Sequence, residues 1–151
     1  MSNTKQSSVE KEFVPYEEAL ALKELGFDEP CFKYIYIGDT GVNVNHDLEV
    51  EPSKAKNFNS DDLCISIPTY SQAFRWIREK YWYTALILCD SFQIVMQLST
   101  SKTLDSKTGD YIANYSTQTY HKEEGLKSYD ESELACLRKL IEIVKENLII
   151  K

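Results

Sequence analysis

Two histidines, His46 and His121, are the side chains in this sequence that most readily exchange a proton near neutral pH. A catalytic histidine needs a pocket and a carboxylate or other group that orients its ring. Both histidines fall in polar segments that predict loops, which favours solvent-exposed imidazoles. A small enzyme or metal-dependent protein that uses either histidine with nearby acids is therefore an alternative hypothesis.

A run of alternating oxygen-bearing side chains could bind a cation. An extended strand directs alternate side chains to one side, and calcium takes about six to eight oxygen ligands. However, the glycine and the bidentate glutamate of helix-loop-helix calcium sites do not occur at the required spacings. A polar edge strand is the simpler interpretation, so we predict no metal. The run consists of Asn43, Asn45, Asp47, Glu49 and Glu51.

Aromatic and cationic residues are interleaved in the middle of the chain. Such a group can stack on the bases of single-stranded nucleic acid, or it can anchor a protein interface. Aromatic residues at helical spacing are also typical of a buried core. We take four of these residues as the candidate interaction surface: Arg75, Trp76, Arg78 and Trp82.

The four cysteines are far apart in the sequence and have apolar neighbours. They form no CxxC pair and no Cys/His ligand set, so we expect reduced residues in a core. The sequence also lacks GxSxG, HExxH and a glycine-rich phosphate loop. We therefore predict a protein that is not an enzyme and holds no cofactor. The cysteines are Cys31, Cys64, Cys89 and Cys136.

The chain is acidic: 24 Asp and Glu against 17 Lys and Arg give a formal charge of −7. Nucleic-acid binding depends on cations gathered to neutralise phosphates, and here the cations are dispersed among acids, so we disfavour a nucleic-acid partner. The polar N-terminal residues do not form a signal peptide, and no apolar run reaches about 18 residues. We expect a cytoplasmic protein with no membrane segment.

The apolar pattern predicts two main helices in one domain. Residues 1–11 are polar and are expected to be a disordered tail, which leaves 12–151 as a single α+β domain. A helix over 70–81 has a stripe of Tyr70, Phe74, Ile77 and Tyr81 at spacings of three and four. The last helix begins at Ser128 or Asp130, and Asp130 with Glu133 has the form of a capping box. Its apolar stripe comprises Leu134, Leu137, Leu140, Ile141, Ile143, Val144 and Leu148.

Between these helices the period changes to that of strands. Residues 82–89 and 92–98 predict a hairpin that turns at Asp90-Ser91, and 111–120 predicts a third strand. The Tyr111, Ala113 and Tyr115 side of this strand is expected to face the core. Earlier segments predict a helix (15–25), a strand (31–37), a weak return strand (42–50) and a short extended piece (63–67). The expected architecture is an antiparallel sheet of three or more strands covered by two main helices, with an N-terminal helix and strand.

From residue 68 onward, the order helix, three antiparallel strands, helix resembles the topology of double-stranded-RNA-binding domains. That family contacts phosphates through a loop after its first strand and through lysines at the start of its last helix. The corresponding positions here hold Asp90-Ser91 and Asp130–Glu133. The resemblance thus implies the topology, and a nucleic-acid-binding module of this shape is kept as an alternative.

A second resemblance lies in the amino-acid sequences of three segments, 13–32, 70–81 and 132–146. Together they resemble a family of small, uncharacterised proteins encoded by tailed phages and prophages. The resemblance implies the cytoplasm of an infected bacterium, or a virion, as the setting, and it carries no catalytic residue. We therefore predict a non-enzymatic phage or prophage accessory protein that acts by protein–protein contact, with a protein partner or by self-association.

Overall fold

The computed structural model describes residues 9–38 and 47–149, apart from the side chains of 47, 98–102, 112–116 and 149. Most of the predicted disordered tail, with His46, Asn43 and Asn45, lies outside the described residues. Glu10–Glu12 form a single 3-10 turn, so regular structure begins slightly before the expected position.

The α+β class is confirmed, since the described residues form three α-helices and two three-stranded antiparallel sheets. The contacts cluster in two compact units. The first comprises the chain up to Trp76 together with the segment from Leu137 onward, and the second comprises Ile77–Cys136. The two boundaries between these units, at 76/77 and 136/137, both fall inside helices. The single domain over 12–151 stays a prediction.

The first unit contains a sheet of its own, built from the three segments predicted as a strand (31–37), a return strand (42–50) and an extended piece (63–67); the sequence did not predict that all three form one separate sheet. Its central strand pairs with two short strands, with Tyr34 opposite both Leu48 and Ser66. Its elements are α1 (Tyr16–Glu24), β1 (Lys33–Tyr36), β2 (Asp47–Glu49), 3-10 turns at Pro52–Lys54 and Phe58–Ser60, β3 (Cys64–Ser66) and parts of α2 (Tyr70–Tyr81) and α3 (Tyr129–Ile149).

Helix α1 lies inside the predicted 15–25 and ends just before a glycine. Gly26 has a φ of 91°, a left-handed conformation that glycine adopts without steric cost, and Phe27 donates its N–H to Leu22 O at 3.0 Å. The side chains of Leu22 and Phe27 are both fully buried. The helix is also held to β3, because Lys23 Nζ donates to the carbonyls of Asp61 (2.9 Å) and Cys64 (2.6 Å).

The second unit is a meander of sequential strands: β4 (Tyr83–Ile87), β5 (Ser91–Leu104) and β6 (Tyr111–Glu124), in that spatial order. The predicted hairpin is confirmed, but its two-residue turn is Cys89-Asp90 rather than Asp90-Ser91, because Leu88 N–H donates to Ser91 O at 2.8 Å and Ser91 begins β5. Both long strands extend past their predicted ends. The register shifts twice along β5 and β6: Tyr120 is an extra residue in β6, and Thr100 is an extra residue in β5.

One face of the meander is buried. Tyr83, Phe92 and Ile94 are at most 5% exposed, and the ring of Tyr83 meets Tyr120 edge-on with centroids 5.4 Å apart. The prediction that Tyr111 faces the core is wrong, because its side chain is 71% exposed. The side chains of Ala113 and Tyr115 lie outside the described residues.

The apolar stripes of the two main helices are largely confirmed. In α2, Tyr70 and Ile77 are buried, and Phe74 and Tyr81 are half-buried. Of the predicted apolar stripe in α3, Leu134 is half-buried and Leu148 is exposed. The other stripe residues are buried: Leu137, Leu140, Ile141, Ile143 and Val144.

The start of α3 differs from the predicted capping box. Ser128 Oγ accepts the N–H of Glu131 at 3.2 Å, and Glu131 Oε2 accepts the N–H of Lys127 at 2.8 Å. The cap is therefore Ser128 with Glu131, and Asp130 lies inside the first turn. Both serine and aspartate are good caps, so spacing alone could not decide between them.

Within the first unit, α1 and α3 are joined by an ion pair. Arg138 Nε donates to Glu18 Oε1 at 2.6 Å, and this hydrogen bond raises the pKa of the guanidinium above its ordinary value. The carboxylate of Glu18 is buried, and its Oε2 has no hydrogen-bond partner among the described residues. Arg138 is thus the cation that compensates this buried charge.

Replacement of the cap should destabilise α3. We expect Ser128→Ala to lower the free energy of unfolding by about 1 kcal/mol, because one N–H of the first turn loses its acceptor. Ser128→Asp retains an acceptor and should stay close to wild type. Urea denaturation followed by circular dichroism measures both, and an unchanged stability in Ser128→Ala would contradict the assigned cap.

Loss of the Glu18–Arg138 pair, in which the carboxylate is buried and the guanidinium is exposed, should cost more stability than loss of a pair with two exposed partners. Arg138→Met leaves Glu18 buried without its cation, and we expect about 1–3 kcal/mol of destabilisation. The control is Lys145→Met, since Lys145 pairs with the exposed Glu24 at 3.6 Å and should contribute less than about 0.5 kcal/mol. Equal losses in chemical denaturation would refute the distinction.

Candidate interaction surface

The four residues predicted as an interaction surface have different environments, and one of them belongs to a core. Trp76 is only 4% exposed; its Nε1 donates to Asp28 Oδ1 at 3.1 Å, and its ring meets Phe27 edge-on at 5.3 Å. The prediction that Trp76 lies on a surface is therefore wrong. Its spacing from Ala73 and Tyr70 on the apolar side of α2 was the available signal.

The two arginines are accessible. Arg75, in the first unit, lies 3.5 Å from Glu29 Oε2 in a half-exposed ion pair. Arg78, in the second unit, is exposed. An exposed ion pair such as Arg75–Glu29 contributes little to stability, so Arg75 can exchange Glu29 for a partner. Arg78 is accessible to a partner as well.

Trp82 joins α2 to β4 in a strained conformation. Its φ is 67°, in the left-handed region that favours glycine, and its indole is 54% exposed. The backbone is nevertheless fixed, because Trp82 N–H donates to Arg78 O at 3.0 Å and Trp82 O accepts the N–H of Gln97 at 3.1 Å. A bulky residue in this region costs on the order of 1–2 kcal/mol. Neither backbone preference nor burial accounts for a tryptophan here, and strain of this kind is typical of functional positions.

Beyond Trp82, the exposed side of the meander has no charged residue at its centre. The strand register places Thr84 opposite Val95, and Val95 opposite Thr119. These side chains line an open depression of about 430 Å³, in which Leu86 is 50% exposed. We define the uncharged sheet face as the residues that line this depression: Thr84, Leu86, Gln93, Val95, Gln97, Thr117 and Thr119.

The chemistry of this face is neutral. Gln93 Nε2 donates to Thr119 Oγ1, so neighbouring strands are joined by side-chain hydrogen bonds as well as by the ladder. Hydroxyl and amide groups can each donate and accept, and the leucine and valine add apolar contact. Such a mixture suits a polypeptide surface. Lys122 lies opposite Gln93 at the border of this face, and its Nζ pairs with Glu124 Oε1 at 2.5 Å.

His121 lies in β6 rather than in the predicted loop. Its ring is near Phe92, with centroids 5.7 Å apart, and its Nε2 is 3.6 Å from Glu123 Oε2. His46 lies outside the described residues, so the structure does not bring the two histidines into one described site. Among the described residues, no group of three or more His, Cys, Asp or Glu side chains could hold a metal.

The alternating run predicted as a polar edge strand is described only in its second half. Asp47 and Glu49 begin and end β2, opposite Ile35 and Lys33. β2 is the outer strand of its sheet, next to the exposed Glu51.

Burial makes two of the cysteines poor nucleophiles. It raises the pKa of the Cys31 thiol to about 12, and it does the same for the Cys136 thiol, with a smaller contribution from the negative charge of Glu133. Burial also raises the pKa of Cys64. Cys89 is exposed, and all four thiols are free.

Comparisons with known proteins identify no relative: no protein-family model, curated protein or solved structure matches this chain. None of the helices in the described part of the chain is long and apolar enough to cross a membrane. The candidate surface is therefore argued from its own geometry.

The sequence did not identify the uncharged sheet face, because only interleaved aromatic and cationic residues indicated a contact surface. The signal was present in three segments, where Thr, Gln, Leu and Val occupy alternate positions of predicted strands: Thr84 to Leu86, Gln93 to Gln97, and Thr117 to Thr119. Alternation places such residues on one side of a sheet. The pairing that aligns the three segments could not be deduced from composition.

The cysteines should differ in reactivity. At pH 8, iodoacetamide should modify the exposed Cys89 in the folded protein. Cys31 and Cys136 should react about a thousandfold more slowly than the same thiols do in unfolded protein, because burial raises their pKa from 9.0 to about 12 and so reduces the thiolate fraction. Peptide mass spectrometry measures this, with urea-unfolded protein as the control in which all four react.

The raised pKa values of the Cys31 and Cys136 thiols also make the free energy of unfolding depend on pH. Each thiol has a higher pKa in the folded state, so its contribution to stability is complete below pH 9 and is lost as the pH rises toward 12. Rapid labelling of Cys31 in the folded protein would contradict the buried environment.

Proposed function

We propose that this chain is a non-enzymatic accessory protein of phage or prophage origin that acts by protein–protein contact, through Trp82 and the uncharged sheet face. The observation that carries the proposal is the exposed indole of Trp82 on a backbone conformation suited to glycine. The likeness of 13–32, 70–81 and 132–146 to phage and prophage proteins supports the setting.

Trp82 adjoins the uncharged sheet face through the strand register. Its carbonyl accepts the N–H of Gln97, which lines that face. Tryptophan is among the residues that most often dominate binding energy in protein interfaces, and such anchors are usually surrounded by contacts that exclude water. A neutral face of threonine and glutamine can supply those contacts without the desolvation of charge.

Charge supports a protein partner over a nucleic acid. The resemblance to double-stranded-RNA-binding domains rests on the chain order helix, three strands, helix, but the hairpin turn carries the exposed Asp90 and the first turn of α3 carries Asp130 and Glu131. These carboxylates would repel phosphates at the two places where that topology contacts RNA.

Paired substitutions at Trp82 can separate backbone strain from binding. Trp82→Gly and Trp82→Ala both remove the indole, but only alanine keeps a Cβ in the left-handed region. We expect the glycine variant to be about 1 kcal/mol more stable than the alanine variant in thermal or urea denaturation. Both variants should lose partner binding to the same extent.

Binding is measured by affinity purification of the full chain from a bacterial host lysate with quantitative mass spectrometry. The matched control is Leu104→Ala, which removes another exposed apolar side chain of the second unit and should retain the partner. Retention of the same proteins by both Trp82 variants would contradict the proposal. Tight binding of a short RNA duplex at low salt, lost on salt addition, would support the nucleic-acid alternative instead.

A further inference from the structure

Strand β6 is the outer strand of its sheet, with β5 on one side and no other strand beside it in the described residues. It is 14 residues long. From Tyr111 to Tyr120 its sequence, YIANYSTQTY, contains no charged residue and no proline. Natural sheets usually protect such an edge with charges, proline or irregularities. The one extra residue in β6, Tyr120, lies at the end of this segment.

The ladder determines which peptide groups of β6 point away from the sheet. Leu88 N–H donates to Ser91 O, and Gln97 N–H donates to Trp82 O, so Ser91 and Gln97 direct their peptide groups toward β4. In an antiparallel sheet this direction alternates along the strand, so Met96 directs its groups toward β6.

The same alternation continues into β6. Met96 lies opposite Gln118, whose peptide groups therefore point inward toward β5. Thr117 and Thr119, on either side, direct theirs outward. At the other end of the strand, Asp105 N–H donates to Asp110 O, so Asp110 directs its peptide groups inward and Tyr111, the next residue, directs its groups outward. Counting from either end of β6 therefore assigns the same residues to the outward side.

The side chains along this edge are accessible. Tyr111 is 71% exposed, and residues 117–120, which alternate between the two faces of the sheet, are all exposed. The described part of the edge therefore combines unpaired outward peptide groups, accessible side chains and an absence of charge. This is the combination that strand addition uses.

We propose that β6 pairs in antiparallel fashion with β6 of a second copy of this chain, around a two-fold axis, to form a continuous six-stranded sheet. The inference rests on the proposed function only in taking protein as the class of partner, and it does not use Trp82. The two-fold arrangement is self-complementary, because the same uncharged segment is supplied by both copies.

Charge favours a second copy as the occupant. Each copy has a formal net charge of −7, so two copies repel each other least where both surfaces are uncharged, as they are along 111–120. Antiparallel pairing centred on 111–120 brings the uncharged segments of the two copies together and leaves the charged residues, Asp110 and Lys122–Glu124, at the two ends of the contact. A parallel arrangement would place identical charges together.

The pairing also extends the uncharged sheet face. Thr117 and Thr119 belong to that face and to the outward edge, so the two faces would meet at the dimer axis. A single pair of strands buries less area than the roughly 1,200 Å² of a standard interface, so we expect micromolar rather than nanomolar association.

Sedimentation equilibrium of the full chain across the micromolar range tests the proposal. Wild type should show a monomer–dimer equilibrium that tightens as NaCl is added, because salt screens repulsion between two acidic copies. Thr117→Pro removes one outward N–H without removing a bond to β5, and it should weaken the dimer by about tenfold or more. Thr117→Val keeps the N–H and the β-branched shape and should dimerise as wild type does.

Hydrogen exchange on the wild-type protein provides a test that needs no variant. The amides of Thr117 and Thr119 should become protected as concentration rises, whereas Gln118 should be protected at all concentrations. A wild type that stays monomeric, a Thr117→Pro variant that dimerises normally, or outward amides that ignore concentration would each overturn the proposal. Trp82→Gly should still dimerise, so failure of the dimer and failure of the Trp82 interface are separately visible.

Discussion

The second unit depends on the hydrogen bonding of its central strand. β5 pairs along one side with β4 and along the other with β6, and its peptide groups alternate between them. This alternation positions Trp82 through Gln97 and leaves the peptide groups of Thr117 and Thr119 pointing outward. The two proposed contacts are thus set by one ladder, although they use different atoms.

The acidic composition and the neutral sheet face have complementary effects. Like-charged copies repel each other over most of their surface, which keeps the chain dispersed and restricts close approach to places without charge. In the described second unit such a place is the uncharged sheet face together with the adjoining edge of β6. Specificity here comes from where charge is missing, and the indole of Trp82 adds an apolar anchor beside it.

Local patterns predicted much of the fold, and long-range pairing was beyond them. Helix α2 was predicted at its observed bounds because Tyr70 and Ile77 fall on one apolar stripe. The hairpin of β4 and β5 followed from two flanking apolar runs, although its turn lies one residue earlier than predicted. The segments of the first sheet were predicted as extended, but the pairing of Tyr34 with Ser66 was missed because a long intervening segment leaves no periodic signal for it. Of the predicted surface, Trp76 proved to be a core residue, and the strain at Trp82 arises from a backbone angle that composition does not encode.

The discontinuous first unit has a consequence for synthesis on the ribosome. Arg138 and Lys145, which pair with Glu18 and Glu24 of α1, are translated more than a hundred residues after their partners. The meander of β4, β5 and β6 joins only sequence neighbours and needs no later segment to form. The first unit is complete only after the residues from Leu137 onward have been added, so its folding is delayed until α3 has been translated.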